Sequence, residues 1–167
     1  MGKLIAALAL ILTSGDPVAL AGPATPQPIA VANFDFFDTS GEPKDQSVDH
    51  RKRLAAFGDK LRQQLAASGK FVAVSLPCQS DRCSVSDPGF RMLSQLAKQN
   101  GARYLVIGGL KKMSTLVGWV EYSVLRVDDS RSVCDRLITY RGDTDESWDR
   151  AARFSADQII KGCNLTE

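Results

Sequence analysis

This 167-residue chain holds a single histidine, no C-x-x-C pair, and no G-x-S-x-G, H-E-x-x-H or phosphate-loop string. Without them the usual signatures of acyl transfer, zinc chemistry and nucleotide hydrolysis are missing. Nor is there an excess of one charge. Lys and Arg number 21 against 19 Asp and Glu, a net charge of +2, and the basic residues are scattered. A nucleic-acid binder carries a basic stripe or patch, so nucleic acid is not an expected partner. No apolar run approaches the roughly 20 residues of a spanning helix, so no stable membrane anchor is expected.

The chain opens with Lys3 followed by a continuous apolar run over residues 4–12, which Thr13, Ser14, Gly15 and Pro17 interrupt. Ala19-Leu20-Ala21 before Gly22 is a small-x-small cleavage site. Residues 1–21 therefore read as a secretory signal peptide, cleaved near Ala21. No cysteine stands at that junction to accept a lipid, and position 6 is Ala where myristoylation favours Ser or Thr. Residues 22–28 carry three prolines and read as an extended leader, and residues 29–167 as one domain of ordinary size.

Export changes the reading of Cys78, Cys83, Cys134 and Cys163. In an oxidising compartment an even set implies two disulfides. Three pairings exist. Cys78 with Cys83 and Cys134 with Cys163 is favoured, because the first closes a short loop and the second ties a late strand to the last helix. Zinc is the alternative, opposed by the lone histidine.

Residues 29–37 (IAVANFDFF) form a β-prone run of strand length, ended by the turn cluster of residues 38–43. Leu54, Phe57, Leu61 and Leu65 recur at threes and fours, predicting a helix over residues 48–68 that Gly69 stops. Residues 71–76 predict a second strand. Asp87 and Pro88 fit the N-cap and N1 positions of a helix running to Asn100. Residues 104–109 (YLVIGG) are apolar on both faces and predict a central strand whose glycines mark a bulge or a close backbone approach. Residues 118–127 and 133–141 predict a hairpin. Asp143 to Glu146 has D-x-x-E capping-box form, opening a helix whose inner stripe holds Trp148, Ala151, Ala152 and Ile159. The order β-α-β-α-β-β-β-α implies a single mixed α/β (α+β) domain, its mixed sheet packed by helices.

Several of these segments, in order, resemble the exported architecture shared by the amino-terminal domain of TolB, the curli secretion proteins and penicillin-binding-protein activator lipoproteins. They are residues 29–37, LAASGKFVAV at 65–74, GARYLVIG at 101–108, LRVD at 125–128 and Ser147-Trp148. The segment RGDTDESW at 141–148 is similar to that of an uncharacterised group of exported bacterial domains. The resemblance implies a periplasmic, non-catalytic adaptor for another envelope protein, needs no cofactor, and leaves homo-oligomer formation open. Lacking a lipidated cysteine and a segment for a membrane barrel, this chain departs from the pore-forming members.

Among chemistry candidates, His50 beside Asp49 reads as a solvated residue at a helix start rather than a catalytic base. Asp35, Asp38, Glu42, Asp45 and Asp49 are oxygen-rich like a hard-cation loop, although their spacing matches no D-x-D-x-D-G pattern. They support the alternative function, a periplasmic carrier of a small ligand or a calcium-like cation. Asp143, Asp145 and Glu146 read as favourable charge at a helix N-terminus. Arg141-Gly142-Asp143 is too short to imply adhesion. Trp119 and Trp148 read as packing aromatics, and an exposed Trp119 would suit a partner surface. The expected binding residues are Asp38, Glu42 and Trp119, acting through the sheet edge or the loop after the first strand.

Overall fold

A computed structural model describes residues 25–79 and 81–165, so the expected signal peptide and its cleavage site lie outside the described residues. Six strands form one mixed sheet and three helices pack on its two faces. The order of elements follows the sequence expectation.

The apolar run at 29–37 makes two strands, β1 (Gln27–Val31) and β2 (Asp35–Asp38), both parallel to β4 (Tyr104–Lys112). Val31 pairs with Val106 and Asp35 with Gly109, so four steps along one strand match three along the other. One extra residue between the strands reverses which side chains point inward. Ile29 and Val31 before the slip, and Phe34 and Phe36 after it, consequently all meet the same core. The strand starts two residues earlier than the expected leader boundary. Gln27 donates its N–H to Lys70, which turns the position where Pro28 lacks an N–H toward the β4 side, at the start of that ladder.

β1 pairs on its other side with β3 (Phe71–Val74), in parallel. β4 continues antiparallel into β5 (Val117–Arg126) and β6 (Arg131–Arg141), giving the path β3-β1-β4-β5-β6 with β2 beside β4. At Gly108 in β4 a Cβ would stand 2.4 Å from the Glu121 carbonyl oxygen and 2.7 Å from the Phe34 ring. The glycine therefore marks a close approach, while the β4–β5 register runs through it without a bulge.

Helices α1 (Ser47–Ala67) and α3 (Asp145–Gly162) cover one face. On α1 the stripe Phe57, Leu61 and Leu65 is fully buried, each side chain contributing about 2 kcal/mol of burial. Gly69, at φ +70°, takes the left-handed turn after the helix. The other face holds α2 (Phe90–Gln99), whose Leu93 and Ala97 pack on Ala30, Leu105 and Leu125.

Two helix starts differ from the sequence reading. α2 begins after Gly89, because Ser84 and Asp87 exchange backbone hydrogen bonds in a turn containing a cis Asp87–Pro88 bond, and the Asp87 side chain caps nothing. α3 is capped by Thr144, whose Oγ1 accepts from the Ser147 N–H at 3.2 Å, and not by Asp143.

The structure joins Cys78 to Cys83 in the loop after β3, and Cys134 of β6 to Cys163 at the end of α3. Two disulfides fit an exported protein. No described helix is long and apolar enough to cross a membrane.

Candidate functional site

Strand β2 ends beside the carboxyl end of β4, and two connections of the chain meet at this spot. The loop at 39–46 leads into α1, and residues 142–144 lead from β6 into α3. Lys112, the last residue of β4, has the same strand parity as Val106 and Leu110 and is 1% exposed. Its ammonium meets Asp143 Oδ2 at 3.0 Å, Glu42 Oε2 at 2.8 Å and Asp38 Oδ2 at 3.8 Å. Burial alone would lower the Lys112 pKa. Hydrogen bonds to Glu42 and Asp143 outweigh it and raise the pKa above its ordinary value.

Asp143 is the hub. Besides Lys112, it accepts from Arg53 Nη1 at 3.0 Å and from Trp148 Nε1 at 3.1 Å, and it pairs with His50 Nε2 at 2.8 Å. Burial pushes its carboxyl up, but hydrogen bonds from His50, Lys112 and Trp148 prevail and hold it at about 2. The His50 ring, 3% exposed, lies 4.6 Å from the Phe36 ring and stacks toward Trp148. Arg53 also binds Asp145 at 2.8 Å.

His50 is therefore buried in a network and is not the solvated helix-start residue of the sequence reading. Likewise Asp143 does more than favour a helix N-terminus: its carboxylate ties β4, α1 and α3 together. The one buried side-chain polar atom without a partner among the described residues is Ser155 Oγ, outside this cluster. A fully satisfied network acts as a clamp, holding three chain segments in one arrangement.

The clamp holds the loop at 39–46 against a cavity of about 1110 Å³ between β2 and α1, with residues 81–86 at one end. The five acidic residues of the sequence reading do not converge in it. Asp35 accepts from Ser84 Oγ at 2.6 Å and from the Ser86 N–H at 3.0 Å. Asp38 accepts from the Ser40 N–H and hydroxyl. Those hydrogen bonds, with the nearby Lys112 charge, lower its pKa against a raising effect of burial. Glu42 serves Lys112 and Gln46, Asp45 accepts from the Ser47 N–H, and Asp49 is exposed on the first turn of α1. No group of three or more His, Cys, Asp or Glu among the described residues is arranged to hold a metal ion.

Asp38 and Glu42 thus meet at the Lys112 ammonium. Trp119 lies on the opposite sheet face, half-buried beneath Lys111, whose ammonium is 5.8 Å from the ring centroid. Lys112 and Arg53 are members of this network that the sequence reading missed, and it took Asp143 only as charge at a helix N-terminus. A lysine on the inward parity of a strand and a histidine one turn before Leu54 on the inner helix stripe were the available signals.

The DUF3280 family model, described as "Protein of unknown function (DUF2380)", matches residues 27–160. No curated protein matches the sequence. Among solved structures, the chain is similar to the PelC dodecamer from Paraburkholderia phytofirmans at 15% identity, covering 89% of this chain and 96% of that one, with a TM-score of 0.55. It is similar to the LpoB C-terminal domain from Escherichia coli at 16% identity, covering 73% and 87%, with a TM-score of 0.50. TolB from Acinetobacter baumannii reaches 0.48 at 15% identity, over 84% of this chain and 29% of that one, too little to identify a TolB amino-terminal domain here. The likenesses to PelC and to the LpoB domain establish a shared fold.

Proposed function

We propose, since the chain belongs to the DUF3280 family and that family's description assigns no activity, that it is a non-catalytic periplasmic adaptor binding another envelope protein. The contact is the free edge of β2 with the loop at 39–46. One observation carries this reading: β2 has a strand neighbour on one side only, and its open side borders the large cavity. Strands β3 and β6 also end the sheet, but their residues do not line that cavity.

The clamp supports the same reading. It spends its polar atoms on positioning the loop, which suits a surface that must keep its shape for a partner. The same fold forms a dodecamer in PelC, so the partner includes, as one case, a second copy of this chain.

A photo-crosslinking residue at Phe37, 57% exposed beside the cavity, tests the proposal in producing cells. Val72 on β3 and Leu137 on β6 serve as control positions. A discrete adduct with one envelope protein or a second copy is expected from position 37 and not from the controls. A purely monomeric protein at all three positions would overturn it.

A further inference from the structure

The geometry points to a lipid-contacting tip: the turn between β4 and β5 sets its apolar side chains into the interface of an anionic membrane, with Lys111 and Arg141 at the level of the headgroups. This goes beyond the adaptor reading and uses a surface which that reading leaves idle. It is a surface contact and not a span.

The side chains of the turn are apolar and face water. Leu116 is 71% exposed, the most of any large apolar side chain among the described residues, and Met113 and Val117 beside it are 37% exposed each. Turns in water favour Gly, Asn, Asp and Ser at such positions. The backbone of the turn, by contrast, is bonded within the chain. Met113 and Ser114 donate their N–H groups to the Val117 carbonyl at 3.0 and 3.2 Å. Leu116 and Val117 donate theirs to Ser114 Oγ, both at 3.2 Å, and the Leu116 carbonyl accepts from the Gly142 N–H at 3.1 Å. Backbone groups already paired lose little on leaving water, which is the condition for entering an apolar phase.

Strand parity continues this surface onto one sheet face. Val120 and Tyr122 of β5 and Ile138 and Tyr140 of β6 point into the core beneath α1 and α3. Val117, Trp119 and Arg141 therefore point to the opposite face, together with Lys111, which pairs with Trp119. On that face α2 covers only the far end, over Leu105 and Leu125, about 20 Å from Lys111 at the usual strand rise. Trp119 is half-buried, with the Lys111 ammonium 5.8 Å from its ring centroid. Indoles settle at the headgroup level of a bilayer, and lysine stems lie along apolar surface while the ammonium stays among polar groups.

Shape and charge select lipid over protein. The apolar side chains project from the end of a hairpin instead of lining a groove, so they fit a surface that yields to them. On the face they share, the charges nearest the turn are Lys111 and Arg141, and Glu121 stands one row further in. The carboxylates at the same end of the molecule belong to the face under α1 and α3 and meet cations of the chain. Asp38, Glu42 and Asp143 turn to Lys112, Asp145 to Arg53, and Glu146 to Arg150. Two cations flanking an apolar tip complement an anionic headgroup layer.

The test is vesicle binding by residues 22–167, since the apolar run at 4–12 would bind lipid by itself. Vesicles of phosphatidylethanolamine with phosphatidylglycerol are compared with phosphatidylcholine alone, and brominated acyl chains report the depth of Trp119. Expected are binding to the anionic vesicles and bromine quenching of a tryptophan signal that disappears in Trp119→Phe, because Trp148 is 1% exposed in the core. Leu116→Asp should bind about tenfold more weakly with an unchanged melting temperature. Lys111→Gln and Arg141→Gln should each weaken binding to the anionic vesicles about fivefold. No vesicle binding, binding without quenching of Trp119, or full binding by Leu116→Asp would overturn the tip. A self-association that Leu116→Asp abolishes, without vesicle binding, would overturn it in favour of a protein contact. The adaptor reading fails separately: capture of an envelope protein from position 37 should persist in Leu116→Asp whether or not lipid binds.

Discussion

Asp143 has three cationic or histidine partners and an indole donor around one carboxylate that is 8% exposed. Replacing it with Asn keeps the shape but leaves Lys112 and Arg53 under-compensated. Asp143→Asn is therefore expected to cost about 3–5 kcal/mol, measured by urea unfolding at neutral pH. The pH dependence has a definite sign. Its folded pKa of about 2 lies below the ordinary aspartate value, so its stabilisation is complete above about pH 4. It is lost as pH falls through 2. Unfolding curves between pH 5 and 2 should steepen less in the Asn variant than in the parent. Asp38 and Asp145 shift the same way, Asp145 through its hydrogen bond from Arg53, so some slope remains. A variant as acid-sensitive as the parent would remove Asp143 from this role. At this scale the sequence said little, because three of the hub's four partners come from other strands and helices, 31 to 93 residues away along the chain.

At the level of elements, β4 is the axis on which β1, β2 and β5 all pair. Gly108→Ala would drive a methyl group into the Glu121 backbone, which cannot swing aside as a side chain can. The expected result is a loss of roughly 1–3 kcal/mol with an unchanged circular-dichroism spectrum of whatever remains folded. At the start of α3, Thr144→Ala removes the one side-chain cap and should cost about 1 kcal/mol, whereas Glu146→Ala should change little. Equal effects from the two would restore the capping-box reading. Helices and strands were largely legible because their signals are local: the stripe from Leu54 to Leu65, and the alternation on either side of the residue 128–131 turn. The break between β1 and β2 was not. A continuous apolar run gives no sign of a one-residue slip, which only the pairing with β4 reveals.

Across the whole molecule, the Cys134–Cys163 bridge joins residues 29 apart and fastens α3 to the sheet, while Cys78–Cys83 closes a separation of 5. In the chain-entropy model the longer closure stabilises by about 3.5 kcal/mol and the shorter by about 2. Replacing Cys134 and Cys163 together with Ala should lower the melting temperature more than replacing Cys78 and Cys83. The reverse order would show that the short loop carries more of the fold than its length implies. The cores divide unequally: α1 and α3 cover the face with Trp148 and Tyr122, while α2 leaves Phe37 and Leu137 exposed on the other. By itself the sequence determined the class of fold, the order of its elements and most of their inner faces, because apolar periodicity and turn chemistry act over a few residues. The tertiary structure alone decided that Lys112, His50 and Asp143 meet, that β2 has an open edge, and that the acidic residues after the first strand bond to different groups of the chain rather than gather in one place. Those outcomes depend on which distant segments pack together, and no local pattern encodes that.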